Sequence, residues 1–215
     1  MTLQFSLHQQ IGQLTLNQPP SNTMTMAFFK EFRVMMHDIA TTKGLKAIII
    51  SGNGRHYSSG ADINELLANV DHRTMLENYR AFVMLEQLKI PVISAIRGVC
   101  LGSAFELALF SHFRLCSADA VLGLPESTYN LMPGIGGIQR VASLAGKANA
   151  ISMILRGVTF SADDALGMGL VDAIVPKDKL LDLAIDFANR LPTNILKIDR
   201  AACIYKYLKP LQANG

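Results

Sequence analysis

The chain has 215 residues, 50% of them hydrophobic, enough to enclose one full core and short for two. Its 20 Lys+Arg against 17 Asp+Glu leave a net charge of +3, and no basic cluster argues for nucleic acid, although a mildly basic surface helps steer an anionic small molecule. The longest apolar runs are far shorter than a membrane span, the start lacks the charged lead and apolar run of a secretory signal, and Cys100, Cys116 and Cys203 lack CxxC spacing, so reduced buried thiols in the cytoplasm or an equivalent compartment are expected rather than a disulfide frame or a metal site.

Residues 3–8 and 11–16 alternate apolar and polar and predict a hairpin. A turn-rich loop follows at 17–22. Thr25 or Thr23 caps a helix over about 26–40, with Phe29, Phe32, Met36 and Ile39 at helical spacing. Ala47-Ile48-Ile49-Ile50 reads as a strand buried on both faces. A Gly/Ser loop over 51–61 leads into a helix over 62–67, then a helix over 79–88 and a second buried strand over 91–96. Residues 98–103 form a small-residue turn into an apolar helix at 104–111. A third core strand spans 113–117, and a short extended piece spans 121–123.

Pro133-Gly134-Ile135-Gly136-Gly137 is a second glycine-rich turn, opening a helix near Ile138. Helices follow at 147–155, 161–168 and 180–191; Ser161 caps the second, with Asp163 and Asp164 in its first turn. Residues 171–175 make one more strand, and the tail after Tyr205 has no core pattern of its own. Strands alternating with helices predict an α/β domain with parallel pairing.

Three stretches carry candidate chemistry. Ser58-Ser59-Gly60-Ala61-Asp62-Ile63 follows a buried strand and opens a helix. Such a loop is either a plain turn with a cap or a place where backbone N–H groups meet a ligand. Gly102-Ser103-Ala104-Phe105-Glu106 puts a glutamate in the first turn of a helix. A solvated acid would favour the helix dipole there, but Leu107, Ala108, Leu109 and Phe110 show no polar face, and a buried carboxyl has the raised pKa of a general acid or base. Glu126, on a proline-fixed loop, reads by itself as an exposed carboxylate. Together the three make one site: two loop-to-helix turns aim N–H groups at one oxygen, and two carboxyls share acid and base duties.

The segments "SSGADINEL", "PVISAIRG", "GVCLGSAFELALF" and "LGLPESTYNLMPGIGGIQRVASLAGKANAISMILRGVTFSADDALGMGLVDAIV" resemble, in order, those of the crotonase family, the enoyl-CoA hydratase/isomerase group, from about Phe5 to at least Val175. The resemblance implies a crotonase-like spiral of ββα units over residues 1–175 and a short helical segment over 176–215, with the family's usual C-terminal helices curtailed. It implies an acyl-CoA thioester substrate, coenzyme A entering only as part of it, no permanently bound cofactor, and a homotrimer or hexamer.

By the same resemblance, the backbone N–H groups of Ala61 and Ser103 hold the thioester oxygen, and Glu106 and Glu126 are catalytic. The backbone of Gly134 helps hold a water. Ser59, Gly60, Asp62, Ile63, Gly102 and Pro133 line the substrate, Asp62 and Ile63 beside the adenine and pantetheine parts of CoA. Hydration of a 2-enoyl-CoA, or its reverse, is the implied reaction: water adds at C3 and Glu126 returns a proton to C2. A double-bond isomerase or related CoA lyase is the nearest alternative. A non-catalytic acyl-CoA-binding subunit, or a Clp-like serine hydrolase using Ser103 with His56 as the nearest histidine, belongs to other classes. Ser103 stands where glycine is usual, and His112 where aspartate is often seen. Lys197, Arg200, Lys206 and Lys209 read as a solvated helix face and not as an RNA site.

Overall fold

The structure, a computed structural model, describes residues 1–69, 71–192, 195 and 199–209; Lys197 and the end of the tail at 212–215 lie outside the described residues. β1 (Leu3–His8) and β2 (Ile11–Leu16) form the expected hairpin, with Leu3 opposite Leu16 and His8 opposite Ile11. Beyond β2 the sheet is parallel: β3 (Ala47–Gly52), β4 (Val92–Ile96), β6 (Phe113–Ser117) and β9 (Ala173–Val175) extend it in that order.

The pleat divides the apolar run of β3 between two cores. Ile48 and Ile50 face one cluster, with Phe28, Phe32 and Met36 of α1 (Met26–Thr41), Phe82 and Leu85 of α3 (His72–Gln87), and Phe105 of α4 (Ser103–Leu109). Ala47 and Ile49 face a second cluster beneath Leu183, Ala184 and Phe187 of α8 (Leu180–Arg190). Phe187 meets Phe113 edge to face at 5.1 Å; burying an aromatic pair of this kind stabilises by a few kcal/mol, and Phe→Ala in such a core costs about 3–5 kcal/mol. Thr25 is the cap of α1, its hydroxyl accepting from the N–H of Phe28 at 3.3 Å. α5 (Gly137–Ala145) and α6 (Lys147–Arg156) add Val141, Ala150, Met153 and Ile154 to the larger cluster; α2 spans Ile63–Asn69. Among the described residues no helix is long and apolar enough to cross a membrane.

A second, three-stranded sheet departs from the sequence reading. Residues 99–101, expected within a turn, form β5 (Val99–Leu101), parallel to β7 (Val121–Gly123), which pairs antiparallel with β8 (Thr159–Ser161). Three apolar residues between two glycines are too short to show a period of two. Ser161 caps α7 (Ala162–Gly167) as expected, through a reciprocal box with Asp164, and also ends β8. α3 begins at His72, seven residues before the apolar pattern becomes regular, because Asp71 caps it.

The tail also differs from expectation. α9 (Arg200–Cys203) and a π-helical turn, Ile204–Leu208, bury Cys203, Ile204 and Leu208 in the second core. Two apolar residues four apart make a stripe too short to register as a pattern. Arg200 holds this segment to the body through Asp172 at 2.8 Å. The same carboxylate accepts from the backbone N–H of Arg114 at 2.7 Å. The guanidinium of Arg114, 1% exposed, is further satisfied by the carbonyls of Leu170 and Ser111.

Candidate active site

Residues 58–61 run between two neighbours. On one edge Met24 donates to the carbonyl of Gly60 at 2.8 Å and accepts from Asp62 at 3.0 Å. On the other, Ser58 donates to Val99 at 3.0 Å and Leu101 donates to Ser58 at 3.2 Å. The bonds to Met24 bracket Ala61, so the N–H of Ala61 itself points to the opposite edge. Gly60, at φ +92°, lets that edge close: a Cβ there would lie 2.5 Å from the carbonyl oxygen of Leu101 and 3.5 Å from Cα of Gly102. Gly60 therefore lies against Leu101–Gly102, with Ala61 and Ser103 the next residue of each segment. Ser103 is the first residue of α4, and a first-turn N–H has no intrahelical acceptor. Among the described residues neither the N–H of Ala61 nor that of Ser103 has an acceptor.

Gly102 adopts φ 54°, ψ −130°, a conformation closed to L side chains. A Cβ at this residue would stand 3.3 Å from Oε1 of Glu126. Glu126 reaches this point from a 3-10 turn, Pro125–Tyr129, opened by Pro125. The expectation of an exposed carboxylate fails: Glu126 is largely buried, its Oε2 has no hydrogen-bond partner, and burial lifts its pKa to about 7.

Glu106 is 1% exposed, which removes the solvated-acid alternative. Its Oε1 accepts from the N–H groups of Ile135 and Gly137, each at 2.8 Å. Its Oε2 has no hydrogen-bond partner. Burial lifts its pKa to about 7, helped by the charge of Glu126 and opposed by the amides of Gly137 and Ile135 and by the Ser103 hydroxyl. Burial thus brings both carboxyls toward neutral pH, and the charge of Glu126 adds to the rise of Glu106.

The glycine-rich turn adds donors that sequence reasoning did not assign: Ile135 and Gly137, beside the Gly134 expected to help hold a water, give their N–H groups to Glu106. The available signal was three glycines within residues 134–137, since only the absent side chain of Gly137 lets Glu106 in: a Cβ would sit 2.8 Å from its Cγ and 2.9 Å from its Oε1. Gly134 is exposed, next to buried Pro133. It abuts Met75, whose Cε occupies the space a Cβ would need. Both belong to a cavity of about 270 Å³ lined also by His72, Leu76 and Tyr79.

Other expected residues also have partners within the scaffold. The carboxylate of Asp62 accepts from Asn64 and Glu65 at the start of α2, and Ile63 is the first residue of that helix. Ser59 is exposed; its N–H donates to Ser21 and its hydroxyl lies 3.1 Å from that of Thr23. Nδ1 of His56 accepts from the N–H of Val99 at 3.0 Å, so it braces the entry to β5. Among the described residues no histidine pairs with Ser103, and the hydrolase reading lacks its base.

A sequence-family model described as enoyl-CoA hydratase/isomerase matches residues 6–205. A Bacillus subtilis (strain 168) protein named "Probable enoyl-CoA hydratase" is 34% identical over 95% of this chain and 84% of its own length. A fatty acid oxidation complex subunit alpha of Shewanella loihica is 41% identical over 85% of this chain, which spans only 27% of that longer protein. A solved Thermobifida fusca YX structure, a complex with CoA, superposes with a TM-score of 0.80 at 26% identity, over 99% of this chain and 85% of the other.

Proposed function

Because the chain belongs to the enoyl-CoA hydratase/isomerase family, we propose that it hydrates a 2-enoyl-CoA thioester, or dehydrates the product in reverse. One observation carries this reading: two buried carboxylate oxygens without hydrogen-bond donors, Oε2 of Glu106 and Oε2 of Glu126, beside two backbone N–H groups without acceptors. A buried polar atom with no partner is costly, and a water donating to both carboxyls satisfies the pair.

In the proposed reaction the thioester oxygen takes the N–H groups of Ala61 and Ser103, which strengthen as negative charge moves onto it. Donors of this kind contribute about 3–4 kcal/mol each to the barrier when removed. The water oxygen adds at C3 while the carboxyl pair takes up the proton it releases, and Glu126 delivers a proton to C2. A pKa of about 7 on both carboxyls suits them to give and take protons near neutrality. Gly102 and Gly60 bring the backbone to the thioester. The Met75–Pro133–Gly134 cavity accepts the acyl chain, and Asp62 and Ile63 border the CoA moiety. Coenzyme A enters as part of the substrate, in keeping with the complex formed by the Thermobifida protein, and the alpha subunit relative favours fatty acid oxidation as the setting. Trimeric or hexameric assembly, in the cytoplasm, belongs to the same proposal.

Loss of the conjugated enoyl absorbance on mixing the protein with 2-enoyl-CoA thioesters of graded length is the test. Turnover at one or more lengths is expected. Tight CoA binding with no turnover at any length would replace the proposal with a non-catalytic acyl-CoA-binding role.

A further inference from the structure

Ser103 lends the site more than its backbone. It is buried, 9% exposed, and precedes Glu106 by three residues on α4, so the two side chains share one face of the helix. The loop amides of Ile135 and Gly137 saturate Oε1 of Glu106 and leave Oε2 open. We propose that Ser103 is a positioning residue for Glu106, its hydroxyl donating to Oε2 when the carboxyl is ionised and so turning the open oxygen toward the water.

The surroundings leave that task to few groups. The hydroxyl already favours the ionised form of Glu106, although its present geometry falls short of a full hydrogen bond and Oε2 stays without a partner. The 3-10 turn contributes Glu126, whose charge opposes ionisation. The loop before α5 contributes two amides and no side-chain charge. Arg140 of α5 pairs with Glu86 and stacks on the ring of Phe110. β5 carries Cys100, a thiol that burial pushes well above its usual range, and it adds no charge to Glu106. Ser103 is thus the one hydroxyl described as acting on this carboxyl. A glycine or alanine at residue 103 would supply the same backbone N–H without it.

The inference rests on the hydratase reading for its kinetic consequence but not for its physical one. If Glu106 must be ionised to accept from water, the rate rises with pH as it deprotonates. Removing a donor raises its pKa, so the acidic limb of kcat moves to higher pH. A hydrogen bond to a charged group corresponds to a movement of roughly 1 to 2 pH units, or a loss of about tenfold to a hundredfold below the limb.

The experiment compares parent, Ser103→Ala, Ser103→Gly and Ser103→Thr by kcat against pH and by ¹³C NMR titration of carboxyl-labelled glutamate. Ser103→Ala and Ser103→Gly are expected to raise the titration of Glu106 and move the acidic limb together, and Ser103→Thr, which retains a hydroxyl, to restore both toward the parent. An unchanged Glu106 titration in the alanine and glycine variants overturns the inference. Absence of turnover in the parent instead refutes the hydratase reading, while the NMR titration still decides the role of Ser103.

Discussion

Replacing Glu106 by Gln separates what this carboxyl does for the reaction from what it costs the fold. The side chains are nearly isosteric, and the amide oxygen can keep both bonds from Ile135 and Gly137, each 2.8 Å in the parent. The amide nitrogen then takes the place of Oε2 and donates where the carboxyl accepts, so a water can no longer donate to both side chains, and the amide cannot take its proton. Turnover should fall on the order of 10²-fold or more. Stability should move the other way, with a definite pH dependence. The carboxyl ionises near 4.5 when unfolded and at about 7 when folded. Between those values the folded chain holds a proton that the unfolded chain has lost, so the parent loses stability as pH rises from 4.5 through 7. The interval corresponds to ~3 kcal/mol, with no discount for solvent because the residue is 1% exposed. Urea unfolding at equal protein concentration should show the two proteins alike near pH 4.5 and the Gln variant more stable by ~3 kcal/mol at pH 8. Equal stability at pH 8 would mean that Glu106 is neither desolvated nor pressed by Glu126, and the argument for a neutral-pH proton donor and acceptor would collapse.

Three further outcomes follow from the same geometry. Glu126→Gln should cut hydratase turnover on the order of 10²-fold or more, read as kcat on a 2-enoyl-CoA; near-parent activity would remove Glu126 from proton transfer. Gly60→Ala forces a Cβ to within 2.5 Å of the Leu101 carbonyl at φ +92° and should spread the two N–H donors, costing roughly 10²–10³-fold in kcat; a thioester analogue whose carbonyl infrared band is shifted as far as in the parent would show the donors undisturbed. Asp172→Ala leaves the buried Arg114 guanidinium without its carboxylate and releases Arg200. It should destabilise by about 3–5 kcal/mol, and an unaltered urea midpoint would show that the carbonyls alone hold that charge.

Much of the main sheet was legible because its strands are either alternating or wholly apolar, and each pattern answers to a solvent environment that the strand meets along its own length. The burial of Glu106 was legible for the same reason, since Leu107 to Phe110 leave α4 no wet face. Glu126 was not. Its carboxyl lies 3.3 Å from where a Cβ on Gly102, twenty-four residues earlier in the chain, would stand, and nothing local to "LPESTY" records that approach. The donors at Ile135 and Gly137 were marked only by the glycines around them, because backbone amides carry no residue-type signal of their own. β5 and the buried Leu208 escaped because three residues, or two, cannot display a period.

What the acids could not disclose, the glycines did. At Gly60, Gly102 and Gly137 an added Cβ would meet, respectively, the Leu101 carbonyl at 2.5 Å, the Glu126 carboxyl at 3.3 Å and the Glu106 side chain at 2.8 Å. Each of these neighbours belongs to the proposed reacting constellation or to the turn that carries it. One methyl at any of the three must displace a donor or a carboxyl by some tenths of an ångström, and misplacements approaching an ångström cost about 10²-fold in rate. The site is therefore specified by three absences of side chain that make two turns, a helix and a 3-10 segment touch. A glutamate transplanted to another helix start, without those contacts, would be only the solvated acid that its sequence suggests.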